Sequence, residues 1–390
     1  MSVDRVLINL CWLVPGVVGG SEESTTDSIR ALTGAAPPQM QIELAVLPTF
    51  LGAHPDLAES LRCHVAPFGV GSKATRIFAE QTWLAALSAR EQPSLVHHAG
   101  GVVPLVHPRP VVLTIHDLQP LEHPENFSRA KRTYLNAMIG RSARAARIIC
   151  VPSQFTARRV EELLGIERSR IVVVPWPVAQ RSAAHAVDSQ GSSGAGFTPY
   201  PGWTTERRYI LYPSITYPHK RHLLLLAAFA ELQESHPNLD LVLTGGAAQM
   251  EDALTAETAR LGLQSRVKRL GRVPFDQLEQ LYAAASVVAI PSSYEGFGLP
   301  ALEAMTEGVP LVAASAGSLP ELLPADWTVG TDDPVAWAGA IEGVLQLDGP
   351  LLGARIDKGK EIAATFTPQR TASALLRAYR MALGSDVSTP

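Results

Sequence analysis

Hydrophobic residues occur in short, nearly continuous runs that alternate with longer stretches of helical character. The runs in the first half of the chain predict strands at Val6–Leu13, Ile42–Leu47, Ser94–His97, Val111–Ile115, Arg147–Val151 and Arg170–Val174. A second set is predicted at Tyr209–Tyr212, Leu239–Thr244, Val267–Leu270, Ser286–Ile290 and Pro310–Ala313. Runs rich in Val, Ile and Leu between helices are typical of parallel sheets buried on both faces. The pattern therefore predicts an α/β protein with two doubly wound, Rossmann-like domains that face each other across a cleft.

A segment of different composition separates the two sets of strands. It contains S-Q-G-S-S-G-A-G at Ser189–Gly196, which is typical of a flexible connection and cannot bury a core. We therefore predict an N-terminal domain over residues 1–178, a linker or loop over 179–207 and a C-terminal domain over 208–367. Residues 368–390 are predicted to form a helix, Gln369–Leu383, that packs back on one of the domains, and a tail.

Composition narrows the class of protein. The 390 residues are 46% hydrophobic and carry a net charge of −4, which supplies two cores and disfavours a nucleic-acid partner. The three cysteines, Cys11, Cys63 and Cys150, are far apart, as expected in a reducing compartment. The first apolar run, Val6–Val14, is either a weak signal peptide or a buried strand. Because it is short, follows an acidic residue and lacks a cleavage site, the strand is favoured and a cytoplasmic protein is expected.

The most informative segment is Pro291–Pro310, P-S-S-Y-E-G-F-G-L-P-A-L-E-A-M-T-E-G-V-P, directly after a predicted strand. Gly296 and Gly298 permit unusual backbone angles and close approach of a ligand, and a helix is predicted to begin just after them. The free N–H groups at that helix start suit a phosphate. Glu295 and Glu303 flank the turn. Either they accept hydrogen bonds from sugar hydroxyls, or Glu295 caps the helix and Glu303 lies on a solvated face.

The spacing of these two carboxylates is E-x7-E. Together with E-G-F-G-L-P, it resembles the motif of retaining GT-B glycosyltransferases of the family 4 type, and the resemblance extends over nearly the whole chain. The resemblance implies that Glu295 contacts the donor sugar and that Glu303 holds the nucleotide ribose. It also implies that the intervening turn faces the sugar and the diphosphate, through Gly296, Phe297, Gly298 and Leu299.

A second polar segment, Pro213–His222, reads P-S-I-T-Y-P-H-K-R-H and also follows a predicted strand. A diphosphate and a departing nucleotide need cations, and Lys220, with Arg221 behind it, is the best candidate. Ser214 and Thr216 are candidates to donate hydrogen bonds to phosphate oxygens. The alternative is an exposed basic turn.

The resemblance assigns the diphosphate-binding lysine to Lys220. Many relatives carry an arginine five residues earlier, where this chain has Ile215. Either Arg221 or His219 takes its place, or the second cation is absent.

In the N-terminal half, T-I-H-D at Thr114–Asp117 follows a predicted strand. Taken alone, His116 is as consistent with a structural role as with a functional one. The resemblance implies that His116 lies at the donor sugar near the reacting carbon. Asp117 is then expected to orient it or to meet the acceptor.

The turn P-G-V-V-G-G-S-E at Pro15–Glu22 resembles the family's N-terminal glycine loop, in which Gly19 and Gly20 approach the phosphate. The alternative is a strand-to-helix turn capped by Ser21 or Ser24. Other matches are supporting: Arg272 and Val273 resemble the loop that faces the nucleobase, and Ser153 is predicted to cap a helix. Trp176 stands where relatives often have an Asn-Gly turn.

Residues Ser128–Arg159 are rich in Arg and Lys and contain no Asp or Glu. A basic amphipathic surface suits anionic lipid or an anionic acceptor. The alternative is a solvated helix face whose arginine stems cover apolar surface. Peripheral contact with the inner face of a membrane is therefore one hypothesis for this region.

These features predict a retaining, metal-independent hexosyltransferase without a cofactor. The donor is a nucleotide-diphosphate sugar, with a weak preference for GDP-mannose or a related GDP-sugar. The acceptor is a glycan, lipid-linked or natural-product hydroxyl. Two alternatives stay open: a non-catalytic nucleotide-sugar-binding subunit, and a GT-B phosphorylase or epimerase. A nicotinamide dehydrogenase is disfavoured because neither half has the dinucleotide fingerprint.

Overall fold

A computed structural model describes residues 3–17, 20–68, 77–78, 80–178, 197–204 and 206–384. The chain divides into two compact units. The first unit comprises residues 1–177 and 366–390, and the second comprises residues 178–365. The C-terminal segment is therefore part of the first unit. Most of the predicted linker, with the stretch Ser189–Gly196, lies outside the described residues.

The first unit is built on a seven-stranded parallel sheet in the order β3-β2-β1-β4-β5-β6-β7. The strands are β1 (Asp4–Asn9), β2 (Met40–Val46), β3 (Arg62–Val65), β4 (Leu95–His98), β5 (Val111–Thr114), β6 (Ile148–Val151) and β7 (Ile171–Val173). All six runs predicted in this half form strands, with ends shifted by a few residues. The edge strand β3 was not predicted because its sequence, R-C-H-V, has no apolar run and is not buried.

Helices cover both faces of this sheet. They are α1 (Gly20–Ala35), α2 (Pro48–Ala53), α3 (Pro55–Ser60), α4 (Ala85–Glu91), α5 (Gln119–Glu122), α6 (Arg129–Ala145), α7 (Gln154–Leu164) and, from the C-terminal segment, the later helix α15 (Pro368–Leu383). A π-helical turn, Glu80–Leu84, precedes α4. The predicted cap is present: the Ser153 hydroxyl accepts a hydrogen bond from the Thr156 N–H at the start of α7. Helices α1 and α15 pack on the same core, which includes Leu32 and Leu375.

The second unit is built on a six-stranded parallel sheet in the order β10-β9-β8-β11-β12-β13. The strands are β8 (Arg208–Pro213), β9 (Leu239–Thr244), β10 (Val267–Gly271), β11 (Val287–Ile290), β12 (Leu311–Ala314) and β13 (Thr328–Val329). The two-residue strand β13 is too short to show a pattern and was not predicted.

The helices of the second unit alternate with its strands. They are α8 (His222–Glu231), α9 (Glu251–Arg260), α10 (Phe275–Ala283), α11 (Leu299–Thr306), α12 (Leu319–Leu322), α13 (Pro334–Leu345) and α14 (Gly349–Ala363). Three of its aromatic side chains, Trp337, Tyr209 and Tyr212, are fully buried. None of the described helices in either unit combines the length and apolar character needed to cross a bilayer.

Asp240 on β9 ties the segment before β8 into the second sheet. Its side chain is fully buried and accepts hydrogen bonds from Tyr200 and Arg207 of that segment and from Arg266, whose Nε lies 2.9 Å from Oδ1. Burial alone would raise the pKa of Asp240, but the bonds from Arg207, Tyr200 and Arg266 lower it below its ordinary value. The carboxylate is thus charged, buried and fully paired.

Replacing Asp240 by Ala should lower the free energy of unfolding by about 3 to 5 kcal/mol, because it leaves two arginines without their buried partner. Chemical denaturation of the full chain measures this change. Asp357, exposed on α14, provides the matched control, and Asp357→Ala should change stability by less than about 0.5 kcal/mol. Equal effects of the two substitutions would show that the network contributes nothing to stability.

Candidate functional site

A glycine turn connects β11 to α11 in the second unit. Gly298 has a φ of +93°, and a Cβ atom there would lie 3.0 Å from side-chain carbons of Leu319 and Leu322. Only glycine fits both the angle and the space. The side chain of Phe297 is buried, so this residue can offer only its backbone to a ligand. The turn brings the start of α11 to the carboxyl end of β11, and the positive end of a helix dipole favours an anion there.

Glu295 and Lys220 form an ion pair next to this turn. Lys220 Nζ lies 2.6 Å from Glu295 Oε1, and the two side chains are 17% and 10% exposed. They follow the neighbouring strands β8 and β11, which brings them together at one edge of the sheet. No side chain caps α11, whose N-cap is Gly298. The alternative in which Glu295 caps the helix is therefore wrong.

The backbone around Glu295 is held by a close approach. Gly317 has a φ of +61°, and a Cβ atom there would lie only 2.6 Å from the Glu295 carbonyl oxygen. The Ser318 N–H donates to the same oxygen at 3.0 Å. Glu295 is thus fixed by its own backbone as well as by its partner.

The turn that carries Lys220 is fixed to the same loop. The Tyr212 hydroxyl donates to the Lys220 carbonyl oxygen at 2.8 Å and bonds the Ser292 hydroxyl at 2.9 Å. The Ser293 N–H donates to the His219 carbonyl oxygen at 2.8 Å. These three bonds hold the two loops in register, so that Lys220 and Glu295 need little rearrangement to act together.

The other residues predicted in this turn have their own contacts. Arg221 lies in the left-handed region and its Nη1 is 2.5 Å from Asp332 Oδ1. The Thr216 hydroxyl is fully buried, donates to Glu251 at 2.9 Å and accepts from the Ala248 N–H at 2.7 Å. Its hydrogen-bonding capacity is therefore used within the fold.

Ser214 is buried directly after β8, and its backbone lies against the glycine that follows β9. Gly245 has a φ of +108°, and a Cβ atom there would lie 2.4 Å from the Ser214 carbonyl oxygen. The buried ring of His219 stacks on Tyr217 at 5.7 Å.

Sequence reasoning missed one cation near this site. Arg269 on β10 pairs with Glu251, with Nη2 2.8 Å from Oε2, and its Nη1 is buried without a hydrogen-bond partner among the described residues. Burial, and then the charges of Arg269 and Lys220, lower the pKa of His222 to about 4. The only signal was K-R at 268–269 inside an otherwise apolar strand.

Glu303 lies one turn into α11 beside an open pocket of about 290 Å³. The Tyr282 hydroxyl donates to Glu303 Oε2 at 2.8 Å, and Leu278 and Thr306 line the same pocket. Glu303 therefore lines a concave site and is not simply on a solvated face. Arg272, which is exposed, and Val273, which is half-buried, follow β10.

In the first unit, His116 follows β5. Its Nε2 lies 2.8 Å from the Ala99 carbonyl oxygen, so Nε2 carries the proton. Its Nδ1 is buried and has no hydrogen-bond partner in the described part of the chain. The ring lies 5.7 Å from Trp12 and 5.6 Å from Trp176. Burial lowers the pKa of His116 to about 4, so the imidazole is neutral at pH 7 and presents an acceptor nitrogen.

His116 lines a pocket of about 460 Å³. Its polar lining includes Thr25, His97, Thr114 and Tyr379, and no Asp, Glu, Lys or Arg is among the described lining residues. Asp117 is not among the described residues that line this pocket. Its Oδ1 accepts the Gln119 N–H at 3.0 Å at the start of α5.

The N-terminal glycine loop is only partly described. Gly19 lies outside the described residues, and Gly20 is the first residue of α1. Glu22 Oε2 accepts the Gly16 N–H at 2.8 Å, and Oε1 lies 3.0 Å from His54 Nε2. Glu22 thus organises the described part of the turn.

The basic region divides into two groups. Arg141 donates to three carbonyl oxygens of residues 103–105, and Arg159 pairs with Glu122 at 2.8 Å. By contrast, the exposed surface of α6 carries Arg129, Lys131, Arg132 and Arg144. Among the described residues, no group of three or more His, Cys, Asp or Glu side chains could hold a metal ion.

Two family models match the chain, one in each unit. Glycosyltransferase Family 4 matches residues 18–180, and Glycosyl transferases group 1 matches residues 200–359. The fold is that of HepE from Anabaena in complex with UDP and glucose, with a TM-score of 0.69, 20% identity and coverage of 96% of this chain and 99% of that one. The two units therefore form a GT-B fold, and each of them matches a glycosyltransferase family model.

Sucrose-phosphate synthase from Thermosynechococcus elongatus has the same fold, with a TM-score of 0.72, 19% identity and coverage of 98% and 100% of the two chains. Among curated relatives, an O-antigen chain mannosyltransferase B of Escherichia coli is 31% identical over 54% of this chain and 55% of its own length. A D-inositol 3-phosphate glycosyltransferase of Corynebacterium diphtheriae is 33% identical over 60% and 61%. The chain therefore spans about half to three fifths of the length of these two curated relatives.

The buried histidines of the first unit should make the stability of the protein depend on pH. Burial lowers the pKa of His97 and of His98 to about 3 and that of His116 to about 4. Unfolded histidines titrate near 6.5, so below that pH the unfolded chain binds protons that the folded chain does not. The stabilisation is complete above pH 6.5 and is lost as the pH falls, by about 2 kcal/mol per histidine at pH 5.

Calorimetry between pH 7 and pH 5 tests this expectation, and His98→Asn should show a shallower decline than the unaltered chain. A melting temperature that stays constant from pH 7 to pH 5 would contradict it.

Proposed function

We propose that this protein is a retaining hexosyltransferase whose second unit binds a nucleotide-diphosphate sugar. The proposal rests chiefly on the Lys220–Glu295 pair, which lies beside the glycine turn that begins α11. GDP-mannose or a related GDP-sugar is the proposed donor, supported by the similarity to a mannosyltransferase. The proposed acceptor is a glycan, lipid-linked or natural-product hydroxyl.

The proposed chemistry uses the charges of this site. As the bond between sugar and phosphate loosens, negative charge grows on the departing diphosphate, and Lys220 with the N–H groups at Gly296–Gly298 stabilises it. Glu295 accepts hydrogen bonds from sugar hydroxyls once the donor lies against it, and Glu303 accepts from the ribose. Because Lys220 and the helix N–H groups supply positive charge, we propose that turnover needs no metal ion.

In the first unit, His116 is proposed to lie at the donor sugar near the reacting carbon. Being neutral, it acts as a hydrogen-bond acceptor through Nδ1 and does not add charge. Retention of configuration is proposed on the family resemblance, with the leaving phosphate helping to deprotonate the acceptor hydroxyl. Asp117 is proposed to lie on the side of the site where the acceptor binds.

A non-catalytic nucleotide-sugar-binding subunit is the second candidate. It is favoured by Ile215, where many relatives have an arginine, and by the pairing of Arg221 with Asp332 instead of with an open site. Donor binding in calorimetry without turnover on any acceptor would support it. Isomerisation or phosphorolysis of the donor without an acceptor would instead support the phosphorylase or epimerase alternative.

Lys220→Ala and Glu295→Gln should each lower kcat by about 10²- to 10³-fold, because each removes an interaction that strengthens as charge separates. Transfer assays with GDP- and UDP-sugars measure this loss, and calorimetry with the nucleotides identifies the base. Lys358 and Glu361 form an exposed pair in the same unit, 3.2 Å apart, and provide matched controls. Lys358→Ala and Glu361→Gln should leave kcat within about twofold of the unaltered enzyme, since both side chains are exposed. If the Lys220 and Glu295 variants fold normally and keep full activity, the site assignment fails.

We also propose that the basic face of α6 contacts anionic lipid. The exposed apolar residues Leu105 and Val106 adjoin this helix, because Arg141 of α6 donates to the Leu105 carbonyl oxygen at 2.9 Å. The Leu105 N–H donates to Gln81 Oε1 at 2.7 Å, close to the exposed Phe78. Exposed cations and exposed apolar side chains on one unit suit a membrane interface.

The protein should therefore co-sediment with vesicles containing phosphatidylglycerol but not with phosphatidylcholine alone, and salt should weaken binding. Combining Arg129→Ala, Lys131→Ala and Arg132→Ala should reduce the affinity by about fivefold per residue. Arg90→Ala, at an exposed arginine of the same unit, is the control. Equal binding to both kinds of vesicle would refute lipid recognition by charge.

A further inference from the structure

A buried series of hydrogen bonds connects the C-terminal helix α15 to the end of β5, the strand that His116 follows. Tyr379 of α15 is fully buried, and its hydroxyl lies 2.8 Å from His97 Nδ1. His97 Nε2 in turn lies 2.7 Å from the Thr114 hydroxyl. Thr114 is the last residue of β5 and stands two positions before His116. This first arm therefore ends beside the candidate site.

The protonation state of His97 determines which group donates and which accepts in each hydrogen bond of this arm. Burial, and then the charge of His116, lower the pKa of His97 to about 3, so the ring is neutral with one N–H and one lone pair. One partner must donate to His97 and the other must accept from it. A phenol is the stronger donor, which favours Tyr379 donating to Nδ1 and Nε2–H donating to Thr114. The Thr114 hydroxyl then keeps its own hydrogen, in the pocket that His116 also lines.

A second arm reaches the other side of His116. Thr371 of α15 is fully buried, and its hydroxyl donates to the Pro175 carbonyl oxygen at 2.7 Å. Pro175 precedes Trp176, whose ring lies 5.6 Å from that of His116 at an interplanar angle of 58°. The helix thus holds the backbone that carries an aromatic neighbour of His116.

The orientation of the His116 ring depends on these neighbouring contacts because the ring makes few hydrogen bonds itself. Its one hydrogen bond among the described residues joins Nε2 to Ala99, and Nδ1 has none. A single bond does not fix the plane of the ring, so the plane is set by what packs on it and by the strand end below it. Catalytic geometry must be held to a fraction of an ångström by such supporting contacts.

We propose that α15 positions His116 through two arms, one from Tyr379 through His97 and Thr114, the other from Thr371 through Pro175 to Trp176. Tyr379, His97 and Thr371 are positioning residues and do not touch the substrate. The kinetic part of this inference rests on the proposed function of His116, whereas its structural part does not.

The test uses Tyr379→Phe and Thr371→Val in the full chain, with Ser373→Ala, at an exposed position of the same helix, as the control. Nitrogen NMR of labelled histidine side chains reports which ring nitrogen of His116 carries the proton. In the unaltered protein and in the control, Nε2 should be protonated and remain so from pH 8 to pH 5. Either positioning variant should give a mixture of the two tautomers or a His116 that titrates at a higher pH.

Kinetics supply the second measurement. Each variant should lower kcat by about tenfold with an unchanged KM for the donor, because the sugar is held but His116 is misplaced. An unchanged His116 spectrum and unchanged kcat in folded Tyr379→Phe, Thr371→Val and the double variant would overturn the inference. If Tyr379→Phe does not fold, Thr371→Val decides alone. If the unaltered protein transfers no sugar, the proposed function fails, and the NMR result still decides the positioning role.

Discussion

Parallel strand direction is the constraint on which both units depend. Because every strand in each sheet points the same way, the loops that follow the strands gather at one edge. In the second unit this gathers Lys220 after β8, Gly245 after β9 and Glu295 after β11. The ion pair, the position of the start of α11 and the close approaches at the glycines are consequences of that direction. In the first unit the same constraint places His116 after β5 and Trp176 after β7.

The two units differ in the charge of the side chains at their candidate sites. The described edge of the second unit gathers cations and carboxylates in pairs, with Lys220 on Glu295 and Arg269 on Glu251. The pocket of the first unit is lined by neutral groups, and its histidines are kept uncharged by burial. Under the proposed function, the second unit would bind the anionic donor, and the pocket of the first unit would contact uncharged hydroxyls.

Much of the fold could be predicted from the sequence because buried parallel strands are read from local apolar runs. The edge strands β3 and β13 could not, since they are short and only partly buried. Lys220 and Glu295 were each predicted from a local motif, but their contact joins residues far apart in sequence. The bond between His97 and Tyr379 joins residues 282 positions apart, and no local pattern encodes it. Arg269 was missed for a similar reason, because its role depends on the start of another helix.

The path of the chain has a consequence for synthesis. The second unit is one continuous segment, whereas the first is completed only by residues after 365. Residues of α15 such as Leu375 and Tyr379 belong to the core over the first sheet. During translation, one apolar face of the first sheet stays uncovered until α15 has left the ribosome. By that time the second unit can already have folded. The unit whose synthesis begins first is therefore completed only after the second unit has been synthesised.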